Sequence, residues 1–263
     1  MTLETVTTVA AAQTIPVPAD VEANLDQHVR LARLAAKEGA HVLVFPELSL
    51  TGYELSLADD LAFTEDDPRL APLPEMARST SMVLVVGAPV RLDSGLHIGA
   101  FVLSPDGTTQ VYTKHHLGAF PDGAAVDGIV PSPETTYFQP GDRNPFVMIA
   151  GRPAAVAVCA DVGRKSHSRV AAKRGARAYL ASMFVIPSEI AEEEARLGAI
   201  AGRRRMAVVF ANFGGPSGGL ASAGNSAIWS PAGEVVARCP GAGAAIAIAR
   251  DEAGTWSGKV AEA

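Results

Sequence analysis

The chain has 263 residues, 48% of them hydrophobic, and 28 acidic against 22 basic side chains, a formal charge of -6. That length can bury a full core in one large α/β domain or two small ones, while an acidic balance without any basic block excludes a nucleic-acid backbone as partner. Two cysteines, Cys159 and Cys239, are too few for a disulfide-stapled secreted scaffold, so a reducing cytoplasm is expected.

Residues 5–12 are small and apolar enough to imitate a signal-peptide core, but Glu4 precedes them and no Lys or Arg opens the chain. No run approaches the roughly 20 apolar residues of a spanning helix, and no membrane partner is expected. A first strand is predicted over 6–13. Asp20 then caps a helix reaching about residue 37, with Leu25, Val29, Ala32 and Ala36 on one face and Gly39 as its stop. The run Val-Leu-Val-Phe at 42–45 reads as a strand covered on both faces and stops at Pro46-Glu47. Segments 57–63 and 68–80 are expected helices, the second with Pro68 in its first turn.

Strands follow at 83–90, 98–104 and 108–113, with Pro105-Asp106-Gly107 turning the last two into a hairpin. Residues 118–145 are rich in Gly, Pro and Asp and read as a long loop of the kind that frames sites. Strands at 147–149 and 154–158, a basic helix at 164–174, a strand at 177–181 and a helix at 188–205 come next. Glu189 and Glu192 in the first turn of that helix suit its dipole. Strands at 208–211, 226–229, 234–237 and 244–249 complete the pattern. Without a linker or repeat, residues 1–263 are expected to form one α/β domain of two layered mixed sheets with helices outside.

Three of the apolar runs end on reactive side chains. Cys159 ends Ala-Ala-Val-Ala-Val, Glu47 ends Val-Leu-Val-Phe-Pro, and Lys114 closes Gln-Val-Tyr-Thr. A thiol becomes a strong nucleophile when a base removes its proton, and a carbonyl under attack needs positive charge near its oxygen. Singly, each has a plainer reading: a small core residue for Cys159, a paired or solvent-reaching carboxylate for Glu47, a snorkelling surface cation for Lys114.

Together their flanking text resembles the nitrilase or carbon-nitrogen hydrolase superfamily over nearly the whole chain. The matching blocks, in order, run from Gly39 through Val44-Phe45-Pro46-Glu47 to Gly52-Tyr53, then Tyr112-Thr113-Lys114-His115-His116-Leu117, then Val158-Cys159-Ala160-Asp161. Ala211-Asn212 and Ser226-Ala227-Ile228-Trp229-Ser230-Pro231-Ala232-Gly233-Glu234 match its later segments. The resemblance implies a four-layer α-β-β-α sandwich that pairs into a homodimer or higher homo-oligomer. It also implies Glu47 as general base, Cys159 as nucleophile, and Lys114 with the Ala160 amide as oxyanion donors. Glu134, ahead of Phe138-Gln139-Pro140-Gly141, is the match for a second glutamate that orients the lysine.

Tyr53, Ala160, Arg164, Met183 and Phe184 are the expected substrate contacts. Two departures from the family pattern bear on that pocket: residues 119–133 lengthen the stretch before Glu134, and Val162-Gly163-Arg164-Lys165-Ser166-His167 replaces the usual aromatic-Pro-Glu segment. Arg164 or Lys165 could hold a substrate carboxylate, or simply open a solvent-facing basic helix. Gly215-Pro216-Ser217-Gly218-Gly219 fits a serine-hydrolase pattern but lacks a following helix. His97, His115, His116 and His167 lack zinc-site spacing, and no phosphate loop occurs, so neither metal nor cofactor is expected. The expected activity is hydrolysis of a small primary amide with release of ammonia, with N-carbamoyl amine hydrolysis and a catalytically silent binding protein as alternatives.

Overall fold

The computed structural model describes residues 6–262 apart from 122, 126, 127 and 129. Glu4 and Thr5 of the N-terminal stretch, and those four positions of the long loop, lie outside the described residues. The chain order opens with β1 (Thr7–Thr14), α1 (Val21–Lys37), β2 (Val42–Val44), α2 (Ala58–Leu61), α3 (Pro72–Thr80), β3 (Val83–Leu92), β4 (Gly95–Leu103) and β5 (Thr109–Thr113). It continues through β6 (Phe146–Ile149), β7 (Arg152–Val158), α4 (Lys165–Lys173), β8 (Ala178–Ser182), α5 (Ile190–Arg204) and β9 (Ala207–Phe213). Four strands end it: β10 (Ala227–Trp229), β11 (Val235–Arg238), β12 (Ala245–Glu252) and β13 (Thr255–Glu262).

The strands were expected in two sheets, but they join in one curled mixed sheet. Its order is β5-β4-β3-β2-β1-β9-β8-β7-β6, with β12 and β13 extending from β1 and β10 and β11 from β9. The link is short: β1 meets β9 only through Gln13 beside Asn212 and Thr14 beside Phe213. The two halves therefore splay apart everywhere else, and an apolar cluster fills the space between them, with Val44 and Val85 from one half and Val156, Leu180 and Val209 from the other. On the outer side of β1 to β5, Leu31, Ala35, Leu73 and Ala77 from α1 and α3 pack on Leu43, Phe45 and Phe101. Ala171, Leu197 and Ala201 from α4 and α5 cover Tyr179, Val208 and Phe210 in the same way.

Local expectations gave way where tertiary contacts outcompeted propensity. The helix expected at 57–63 shrinks to α2, because the Phe63 N–H and carbonyl bond to Pro89 and Arg91 on β3 and its ring is buried against Phe101. Pro72, which has no N–H to donate and clashes with a preceding turn, splits 68–80 into a short 3-10 turn and α3. The strand β13 is an addition: it pairs with β12 along its whole length, yet Ser257, Gly258 and Lys259 interrupt any apolar alternation. No described helix is long and apolar enough to cross a membrane.

Parallel pairing of β2 with β1 and β3, and of β7, β8 and β9 with each other, brings several carboxyl ends to one edge of the sheet. In α/β sheets that edge is where ligands bind. Gly87 on β3 makes room there: a Cβ would lie 2.4 Å from the Pro46 carbonyl oxygen and 2.5 Å from the Leu48 nitrogen. Backbone cannot be displaced cheaply, so Gly87 sets how closely β3 approaches the Glu47 turn. Gly87→Ala should cost about 1–3 kcal/mol by overpacking. Urea unfolding measures it, and a change under about 0.5 kcal/mol would mean that the turn yields freely.

Candidate active site

Glu47 follows β2, Lys114 follows β5, and Cys159 follows β7, so three strand ends deliver the three side chains. They meet around a buried ionic array. The Lys114 Nζ donates to Glu47 Oε1 and to Glu134 Oε1, each at 2.7 Å, with the side chains of Lys114 and Glu47 wholly buried. Tyr53 adds its hydroxyl to Glu134 Oε1 at 2.8 Å, and the Gly118 N–H donates to Oε2 at 2.7 Å. The Glu134 N–H returns a bond to the Gly118 carbonyl, so both ends of the lengthened loop are tied at one point.

The segment after β8 holds the other side of the site. Ser182 Oγ donates to the Phe45 carbonyl at 2.8 Å, the Glu47 N–H donates to the Met183 carbonyl at 3.3 Å, and the Cys159 thiol lies 3.7 Å from the Phe184 carbonyl. Asn212 on β9 fixes that segment in turn, accepting from the Val185 N–H and donating to the Val185 and Gly224 carbonyls. Glu47 and Cys159 are thus referenced to adjacent residues of one segment, Met183 and Phe184.

Burial decides the protonation states. It pushes the Glu47 carboxyl up to about 7, against the pull of Lys114 and with the help of Glu134. Burial also opposes the Lys114 charge, but Glu47, Cys159 and Glu134 outweigh it and hold the ammonium above its ordinary range. The Cys159 thiol is pushed well up by burial and then by the Glu47 charge. At rest the site holds a thiol rather than a thiolate, next to a carboxylate whose Oε2 is buried with no hydrogen-bond partner among the described residues. A base of this kind beside a protonated nucleophile is equipped for proton abstraction.

Cys159 has φ +42, a conformation that a residue with a Cβ enters at a cost of about 1–3 kcal/mol. It opens a 3-10 turn, Cys159–Asp161, ahead of α4. Asp161 clamps this turn to the segment after Lys114: its buried carboxylate accepts from the Tyr112 hydroxyl at 2.7 Å, the His116 N–H at 2.9 Å and the Val158 N–H at 3.3 Å. His167 stands between Tyr112 and Tyr179, and burial lowers its pKa. These histidines pack and bond; no group of three or more potential metal ligands is assembled among the described residues.

A cavity of about 160 Å³ opens on Cys159, and Tyr53, Ala160, Met183 and Phe184 all line it with Glu134. Arg164 does not. It sits exposed just before α4, outside the cavity, because the turn after Cys159 carries residues 164 and 165 outwards. The cation at the cavity is instead Arg196 from α5, beside Glu189 and Glu193, and Phe120 from the long loop forms a further wall. Sequence reasoning read Glu189 only as a helix-dipole residue and passed over the other three: Glu193 and Arg196 had no signal beyond the helix after β8, and Phe120 none beyond the long loop expected to frame a site. A larger cavity of about 620 Å³ lies at the opposite strand ends, lined by Arg152, Arg177, Arg205 and Trp256, and holds no nucleophile.

The carbon-nitrogen hydrolase family model matches residues 8–256. An amidase from Nesterenkonia sp. AN1, solved as a cysteine-to-alanine mutant in complex with butyramide, superposes with a TM-score of 0.79 at 26% identity, covering 94% of this chain and 92% of that one. A glutamate-to-glutamine mutant of the same amidase shows covalent addition of the acetamide moiety of fluoroacetamide at its active-site cysteine. A nitrilase from Pyrococcus abyssi is 27% identical over 233 residues, 87% of this chain and 83% of its own length. A glutamine-dependent NAD(+) synthetase from Acinetobacter baylyi is 25% identical over 238 residues, and the chain spans only 42% of that longer protein. Matched along nearly all its length by the family model and by an amidase fold, the chain belongs to the carbon-nitrogen hydrolase family and is an enzyme acting on non-peptide C–N bonds.

Proposed function

We propose that this enzyme hydrolyses a small primary amide through a thioester on Cys159. The observation that carries the reading is the protonated thiol on a strained turn at the cavity, within the field of a buried carboxylate that shares an ammonium with a second carboxylate. Glu47 takes the thiol proton as Sγ attacks the amide carbon, and Lys114 with the Ala160 N–H stabilises the oxyanion. Collapse of the tetrahedral intermediate breaks the C–N bond, and Glu47 returns the proton to the departing ammonia. Water, deprotonated by Glu47, then attacks the thioester and releases the carboxylic acid and the free thiol. Glu134 makes no proton transfer in this scheme; it orients Lys114. An amide is the substrate in this reading, as the butyramide bound in the Nesterenkonia amidase suggests by likeness.

The same reading extends to architecture. The three apolar clusters are the interfaces of a four-layer α-β-β-α domain formed by the chain as one unit, and copies pair through the helices that cover the sheet. Light scattering that reports a monomer at micromolar concentration would remove the pairing.

Cys159→Ala should lower ammonia release from acetamide or butyramide by more than about a thousandfold while leaving the thermal unfolding midpoint intact. Residual turnover above that level would reassign the nucleophile. With Glu47 poised at about 7 and needed as the carboxylate, kcat/KM should fall as pH drops through roughly that value. Glu47→Gln should be inactive yet still bind the amide, and a wild-type profile flat between pH about 5 and 9 would exclude Glu47 as the base.

A further inference from the structure

The cavity that opens on Cys159 has a charged far wall that the hydrolytic scheme does not use. Glu189 lies just before α5, and Glu193 and Arg196 lie in its first two turns; all three line the cavity. Acidic residues at a helix start ordinarily answer the helix dipole. That accounts for Glu192, which faces solvent, but Glu189 and Glu193 are partly buried, and burial pushes both carboxyls above their usual range.

Arg196 does not neutralise this wall. Its guanidinium spans Glu192 Oε1, at 2.6 Å, and Glu193 Oε1. Glu193 Oε2 stays buried with no hydrogen-bond partner among the described residues, and Glu189 has no ion-pair partner there within 4.0 Å. At the cavity wall two carboxylates, Glu189 and Glu193, thus face one guanidinium, which Glu192 also shares from the solvent side. At the other end the cavity lining offers the Glu134 carboxylate and, among the described residues, no side-chain cation, so neither end draws in an anionic substrate.

Between the two ends the wall is aromatic. Tyr53, Phe120 and Phe184 meet edge to face with ring centroids 5.1 to 5.5 Å apart. Such rings accept methylene groups and favour a cation. The volume of about 160 Å³ is that of roughly five waters at ~30 Å³ each. A short aliphatic chain fills it.

We propose that the preferred substrate is a short aliphatic amide bearing a primary ammonium at its far end, held by Glu189 and Glu193 while Cys159 attacks the carboxamide. This rests on the amidase reading of the same cavity and adds the substrate class. Glu189 and Glu193 are specificity residues in this scheme, touching the substrate's remote group.

The test compares pentanamide, its ω-ammonium derivative, its ω-carboxylate counterpart and glutamine as substrates for the intact enzyme. The ω-ammonium amide should exceed pentanamide in kcat/KM by about tenfold, the worth of one charge-assisted hydrogen bond, with the ω-carboxylate poorest. Glu193→Gln and Glu189→Gln should each shrink that ratio, chiefly through KM. A variant that merely folds badly lowers both rates and leaves the ratio alone. A wild-type ratio at or below one, glutamine outrunning the ω-ammonium amide, or a ratio indifferent to both substitutions overturns the proposal. If neutral amides turn over without preference, the amidase reading stands and only this proposal fails. If no amide turns over, calorimetry on the Cys159→Ala protein still decides, since tighter binding of the ω-ammonium amide than of pentanamide is required.

Discussion

Everything near the reaction centre depends on one buried ammonium shared by two carboxylates. Lys114 stands 2.7 Å from both Glu47 and Glu134, and neither its side chain nor that of Glu47 touches solvent. Moving such charges out of water costs several kcal/mol per ion, recovered only when geometry and hydrogen bonding are close to ideal. The array meets that condition on one side and breaks it on the other. Glu134 has the lysine, the Tyr53 hydroxyl and the Gly118 N–H, whereas Glu47 Oε2 has no hydrogen-bond partner among the described residues. On the amidase reading, the unsatisfied oxygen belongs to the proposed base, and the satisfied carboxylate to the group proposed to orient Lys114.

Such an array persists only on a scaffold that prevents relaxation. Three strand ends hold the three side chains, and the residues after β8 bond to the Glu47 turn and approach the Cys159 turn together. Asn212 pins those residues, Gly87 admits β3 against the Glu47 backbone, and Asp161 ties the Cys159 turn to the segment after Lys114. Because these restraints come from both halves of the sheet, the short β1–β9 junction carries consequences beyond its two residue pairs. It sets how the halves meet at the edge where Glu47 and Cys159 come together.

Much of this was legible in the chain, and the residues show why. Glu47, Lys114 and Cys159 stand at ends of apolar runs, where a period-independent pattern meets a reactive side chain, so strand and site appear in the same few letters. Glu134 was readable only through the family text around it, since a Glu inside a Gly- and Pro-rich loop carries no local signal of burial. Arg164 misled because proximity in sequence to Cys159 is not proximity to the cavity: the turn sends it outwards, while Arg196 arrives from a helix more than thirty positions on. The β13 strand and the shortened α2 were hidden for a related reason. Both are decided by backbone hydrogen bonds to another strand, to the neighbouring β12 across a tight hairpin and to the more distant β3, and not by their own side-chain pattern.

The charge balance also constrains how a thiol can react here. Many thiol nucleophiles rest as thiolates beside a free cation or a helix N-terminus. In this site the cation is already claimed by two carboxylates, and a resting thiolate would add a third negative charge to a buried group holding one positive. On the amidase reading, proton loss and carbonyl attack must therefore proceed together. As Glu47 accepts the thiol proton it becomes neutral, and Lys114 is left facing Glu134 alone. Its field is then released toward the substrate oxygen as negative charge develops there, so protonation of the base strengthens the oxyanion site in the same step.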